Sequence, residues 1–193
     1  MGSVKSAIGH ASDGHASEPP ADFELSLEPI RLIDLGLLPV NYGRTWVRRF
    51  REGGYVVPEA MRMFATNEFL PIRNSGQALV RLKLLVASQR VIYFGHLAAA
   101  LRCHSARLLD FTEADGYREH AFTWRRITRR YDVAAVMGCW PCHGDAIATQ
   151  VEFPREGGVP FFRAQRLDRP WHSDGLVFRW AFLVVDPAAS MAC

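Results

Sequence analysis

The sequence predicts an α+β domain in which one strand and one long helix precede an antiparallel sheet. Three observations carry this expectation. Residues 77–86 alternate apolar and polar side chains with period two. Leu97 to Asp115 is a run of helix formers with an apolar stripe. Five stretches of strand-like composition follow, at 119–130, 132–140, 145–153, 159–168 and 176–185, separated by turn residues.

The bulk properties bound the answer. At 193 residues the chain is one domain, or one domain with an appendage. Its hydrophobic fraction of 49%, with 12 Phe, 5 Trp and 5 Tyr, supplies an aromatic core. The net charge of +3 is small for a domain that grips duplex nucleic acid, so a nucleic-acid partner is not expected. Four cysteines are too few for a disulfide scaffold. No secretory h-region stands near Met1, and no apolar run reaches about 18 residues. A cytoplasmic protein with free thiols and no stable membrane insertion follows. Met1-Gly2-Ser3-Val4-Lys5-Ser6 fits the loose pattern for myristoylation at Gly2, which matters only in a eukaryote.

In chain order, residues 1–22 lack a periodic apolar pattern and predict a disordered tail. Residues 23–76 predict a helical lead-in. Its first part, Phe23 to Leu38, is apolar but broken by Pro29, Gly36 and Pro39. Asn41 to Glu52 then places Trp46, Val47 and Phe50 on one helical face among four arginines, and Gly53-Gly54 ends it. That basic helix either caps a core or faces a membrane surface or partner. Pro58 suits the first position of a helix over Glu59 to Thr66.

The main domain spans 77–187. Val80, Leu82, Leu84 and Val86 share one face of its first strand, opposite Arg81 and Lys83. Ile92 to His96 turns the chain into the long helix, which Gly116 should stop. At 1.5 Å per residue that helix would be roughly 28 Å long, enough to cross a sheet. Ile147, Thr149, Val151 and Phe153 alternate as a strand, and the apolar Leu176 to Val185 predicts a central one. Residues 188–193 form a C-terminal tail.

Cys139, Cys142 and His143 invite three readings. C-x-x-C-H is the spacing of covalent haem attachment, but the surroundings are strands and only Met191 stands downstream as an axial methionine. C-x-x-C alone suggests a thiol oxidoreductase, yet Gly144 to Phe153 alternates like a strand where that motif opens a helix. Zinc would need a further paired ligand motif, so no metal and no cofactor are expected. The third reading makes both cysteines small residues at a strand end.

Several segments, in order, resemble hotdog-fold thioesterases. Tyr93-Phe94-Gly95-His96-Leu97 looks like the G-H turn that opens the central helix in 4-hydroxybenzoyl-CoA thioesterase-like proteins, and Ser105-Ala106-Arg107 resembles the middle of that helix. Arg125-Arg126-Ile127, Tyr131-Asp132-Val133 and Gly138-Cys139-Trp140 resemble a pattern of the thioesterase-superfamily-member proteins. Gly144 to Ile147 resembles a strand start in acyl-carrier-protein thioesterases. The resemblance covers about residues 77–187 and implies a long helix wrapped by a curled antiparallel sheet. It also implies a homodimer and an acyl-CoA or acyl-carrier-protein substrate.

The match departs from the family where an aspartate precedes the G-H turn. Here Gln89, Arg90 and Val91 stand instead. Thioester hydrolysis on this fold needs a carbonyl polariser and a base. The resemblance puts forward the backbone around Gly95 and Leu97 as polariser, with His96, Glu113 or Asp110 as base; Tyr93 and His104 are weaker choices. Arg125, Arg126, Arg129 and Arg130 are candidates for the phosphates of coenzyme A or a pantetheine carrier. On an extended strand they would divide between two faces. The expected activity is acyl thioester hydrolysis. The alternatives are a non-catalytic acyl-binding or scaffold protein and a thiol oxidoreductase.

Overall fold

The structure, a computed structural model, describes residues 31–59, 62, 76–87, 91–142, 145–172 and 179–192. The expected disordered tail at 1–22, and the helix expected over 59–66 apart from Glu59 and Arg62, lie outside them.

The chain is α+β, with a mixed sheet of seven strands and three helices among the described residues. Strand β1 (Arg31–Asn41) leads through helix α1 (Trp46–Gly53) to β2 (Gln77–Val86). Strand β3 (Val91–Ile92), helix α2 (Phe94–Cys103), strand β4 (Arg107–Leu108) and helix α3 (Phe111–Thr128) follow. The remainder is β5 (Tyr131–Cys142), β6 (Asp145–Phe153), β7 (Phe161–Arg166), β8 (Trp171–His172) and β9 (Arg179–Ala192). The main sheet runs β1-β2-β9-β5-β6-β7, with β4 beside β9 and a separate β3-β8 ribbon. All its pairings are antiparallel except β5 with β9.

Period-two alternation splits the core into two layers. Ala181, Leu183 and Val185 of β9 pack with Phe111, Ala114, Tyr117 and Trp124 of α3. Trp180, Phe182 and Val184 face the other way, onto Leu97 and Ala100 of α2 and onto Ile92 and Trp171 of the ribbon. The near-continuous apolar run in β9 is thus a strand covered on both faces.

Several expectations need correction. The helix expected over 97–115 is broken. It ends at Cys103, Ser105 takes the left-handed φ of 48°, and Arg107 and Leu108 add to β9 before Asp110 starts a new helix. Asp110 and Glu113 form a reciprocal capping box: the Glu113 N–H donates to Asp110 Oδ1 at 2.8 Å, and the Asp110 N–H donates to Glu113 Oε2 at 2.9 Å. Two orphan N–H groups are satisfied there, so a boundary inside the apolar run is stable.

Gly116 does not stop the helix; it lies inside α3, buried against Leu38, Pro39 and Val40. The strand expected over 119–130 is the second half of α3. Tyr117, Trp124 and Thr128 are buried there at helical spacing.

The lead-in expected to be helical is a strand over 31–41. Pro39 is tolerated because β1 is the sheet edge, and Gly36, at φ 91°, sits in a bulge against β2. A boundary at residue 77 would therefore cut through a β1-β2 pairing that runs from Arg31↔Val86 to Asn41↔Gln77. β9 likewise continues to Ala192, through most of the expected tail.

Of the arginines around α1, Arg49 turns inward while Arg48 and Arg51 stay exposed. Arg49 is buried and donates from Nη1 to Asp115 Oδ2 at 2.8 Å, while Arg44 reaches Glu119 and Arg48 reaches Glu52. Tyr55 donates to the other Asp115 oxygen at 2.7 Å. Helix α3 is thus clamped to the segment expected as a lead-in.

Candidate ligand-binding groove

The residues put forward for hydrolysis do not converge. His96 is the third residue of α2, on the face of the sheet away from α3. Its Nδ1 accepts from the Tyr93 N–H at 3.2 Å, and its ring lies edge-on to Tyr93. The N–H groups of His96 and Leu97 both point to the Tyr93 carbonyl, at 3.0 and 3.4 Å. Gly95 stands exposed ahead of the buried Leu97. His104 is the exposed C-cap of α2.

Glu113 lies on the other layer and is 0% exposed. Arg107 donates to it from two nitrogens, at 2.7 and 2.6 Å, and the Tyr42 hydroxyl donates at 2.8 Å. With the Asp110 N–H, four donors engage the carboxylate, which leaves it little capacity to take a proton from a substrate. Burial and the adjoining Glu113 charge push the Tyr42 phenol far above its ordinary range. Asp110 is the N-cap of α3, where its Oδ1 accepts from the Glu113 N–H.

The arginines expected on a strand sit at the C-terminal end of α3, where cations complement the helix dipole. Helical geometry then does what alternation would not. Phe122, Arg125, Arg126 and Arg129 fall at i, i+3, i+4 and i+7 and form one stripe. That stripe is one wall of an open groove of about 1350 Å³. Arg130 is exposed but not part of the lining.

The sheet end supplies the opposite wall, with Asp132, Glu152, Phe161 and Arg163, and the turn after β6 supplies Pro154, Arg155 and Gly157. The walls differ in charge. Arg155 Nε pairs with Asp132 at 2.7 Å, and Arg163 Nε pairs with Glu152 at 3.0 Å, so both guanidiniums of this wall are matched by carboxylates, and the exposed Glu156 adds one more acidic side chain to the lining. Arg125 donates to the Glu156 carbonyl at 2.8 Å. The side chains of Arg126 and Arg129 have no hydrogen-bond or ion-pair partner among the described residues. Phe122 is 85% exposed, an unusual degree for a phenylalanine in a folded chain.

A smaller recess of about 140 Å³ opens beside the groove, between α3 and the strand ends. Tyr117, Ala121, Val133 and Phe153 are among its lining. The rings form a fixed wall: Tyr117 stacks on Trp124 at 5.5 Å and meets Phe153 edge-on at 4.8 Å. Burial raises the Tyr117 phenol above its ordinary value.

The cysteine readings lose ground. Cys139 is half-buried in β5, and burial pushes its thiol up to about 11. A redox-active thiol needs the opposite shift. Cys142 ends β5, and His143 lies outside the described residues. Among the described residues no group of three His, Cys, Asp or Glu side chains is placed to hold a metal ion. No helix among them is long and apolar enough to cross a membrane.

Sequence reasoning singled out Arg125, Arg126 and Arg129 but missed Phe122, Arg155, Arg163 and the recess. The i, i+3, i+4, i+7 spacing from Phe122 to Arg129 was the available signal. No family model, no curated protein and no solved structure matches this chain.

Proposed function

We propose that this chain binds an acyl thioester of the coenzyme A class without hydrolysing it, on a hotdog-like arrangement of sheet and helix. One observation carries the reading. The groove of about 1350 Å³ sets two guanidiniums without partners among the described residues, Arg126 and Arg129, against a wall whose arginines are paired with carboxylates, with a largely apolar recess alongside. A ligand with an anionic end and an apolar end matches that asymmetry. Its phosphates lie on the helix wall, where arginine forks suit phosphate oxygens. An 18-residue helix packed on the mixed sheet is compatible with the hotdog resemblance.

Binding rather than hydrolysis is favoured because His96 and Glu113 lie outside the groove lining and are engaged elsewhere. A hydrolytic reading has one support: Asp132, Glu152 and Glu156 are carboxylates in the groove lining, although the first two are each held by an arginine.

Calorimetry with acetyl-CoA and benzoyl-CoA, run beside a thiol-release assay, tests the choice. Saturable binding with no release above buffer is the expected result. Release that is lost in Asp132→Asn would replace it with hydrolysis in the groove. Absence of binding to either ester would remove both.

A further inference from the structure

We propose that the recess between α3 and the strand ends is an acyl subsite that takes one ring-sized apolar group, such as a benzoyl or an unbranched six-carbon acyl. This rests on the reading of the groove as a thioester site and specifies which thioester.

Size comes first. At about 140 Å³ the recess is close to an apolar cavity of roughly 150 Å³, which holds one benzene molecule. A long acyl chain exceeds it. Chemistry comes second. Three of the polar side chains around the recess are engaged with the protein: Thr128 donates to the Trp124 carbonyl at 3.1 Å, Arg125 to the Glu156 carbonyl at 2.8 Å, and Arg155 to Asp132. The rest of the lining is mainly apolar, from Ala121, Phe122, Val133, Phe153, Pro154 and the Tyr117 ring, so an apolar group is the complementary occupant. Position comes third. Phe122, Arg125, Phe153 and Arg155 line both the recess and the groove, so one ligand spans the two.

Fully burying a phenyl-sized group is worth about 1.5–3 kcal/mol. Benzoyl-CoA should therefore bind about tenfold or more tighter than coenzyme A itself. Affinity should rise from acetyl to hexanoyl and stop rising beyond it.

Ala121 faces the recess from α3, and Ala121→Leu fills it with three extra carbons. That variant should collapse the ratio of benzoyl-CoA to coenzyme A affinity toward one. Val133→Ala enlarges the recess from the other side and should move the best acyl group to a longer one. Circular dichroism checks that each variant is folded. Titrating coenzyme A, acetyl-, hexanoyl-, benzoyl- and palmitoyl-CoA into the full chain and both variants decides the matter. If coenzyme A binds but the benzoyl group adds nothing, or affinity climbs steadily to palmitoyl, the subsite is overturned and the groove reading stands. If coenzyme A and all its esters fail to bind, the groove reading falls and takes the subsite with it.

Discussion

Arg107 grips Glu113 with two nitrogens, at 2.7 and 2.6 Å, and so joins strand β4 to the first turn of α3. Glu113 is fully buried, whereas the Arg107 side chain keeps 23% of its exposure. The pair fixes the place where the expected single helix breaks in two. It also removes the carboxylate that the hotdog resemblance offered as a base.

Glu113→Gln should therefore act on stability and leave thioester binding intact. Removing one partner of a buried ion pair costs about 3–5 kcal/mol. Arg107 can still reach water, so the loss should fall near or below the lower figure. Urea unfolding gives the size. A large loss of ligand affinity in a variant with unchanged unfolding would contradict the structural role.

Asp115 offers the stricter comparison. Its side chain and that of Arg49 are each 1% exposed, with Tyr55 and Arg118 as further donors. Asp115→Ala leaves a buried guanidinium uncompensated and should cost the full 3–5 kcal/mol or so. A midpoint within experimental error of the parent would show that the clamp between α1 and α3 is not formed in solution.

Gly116 makes the opposite forecast. A β-carbon there would meet Leu38, Pro39 and Val40 at 3.6 Å, which is ordinary contact. The position is helical, so Gly116→Ala should stabilise the protein by about 0.5–1 kcal/mol. A lowered melting temperature would mean that α3 and β1 lie closer than they do here.

These residues also mark how much of the fold is legible in the sequence. Strands β2 and β6 follow from period-two alternation, β9 from a near-continuous apolar run, and β5 and β7 from strand-like composition between turn residues. The break between α2 and α3 hides in a run of Ala and Leu that satisfies a helix throughout; its one local signal is Asp110-x-x-Glu113 ahead of an apolar stretch. Strand β1 was masked by Gly36 and Pro39, which break a helix but are at home in a bulged edge strand. The groove was half visible. Its arginines stood out, but only a helix places Phe122, Arg125, Arg126 and Arg129 on one face. The far wall comes from β5, β6 and β7, which no local pattern joins.

Cys139 gives a pH test. Burial holds its thiol protonated up to about 11. The unfolded chain releases that proton near pH 8.5. The folded state therefore binds more protons between those values, and the Cys139 contribution to stability is present below about pH 8.5 and lost as pH rises toward 11. Alkylation at pH 8 should label the exposed Cys103 first and leave Cys139 slow, as peptide mapping can read. Fast Cys139 labelling in folded protein would revive the redox reading of the C-x-x-C.

The central claim is that the α3 stripe holds an anionic ligand, and the affinity of Arg126→Glu/Arg129→Glu for benzoyl-CoA tests it most directly. Both side chains are exposed and without partners among the described residues, so the double variant should fold as the parent does. Its affinity should drop by about tenfold or more, and the parent's should weaken as salt is raised. Equal affinity in parent and variant, or binding indifferent to salt, would contradict the account.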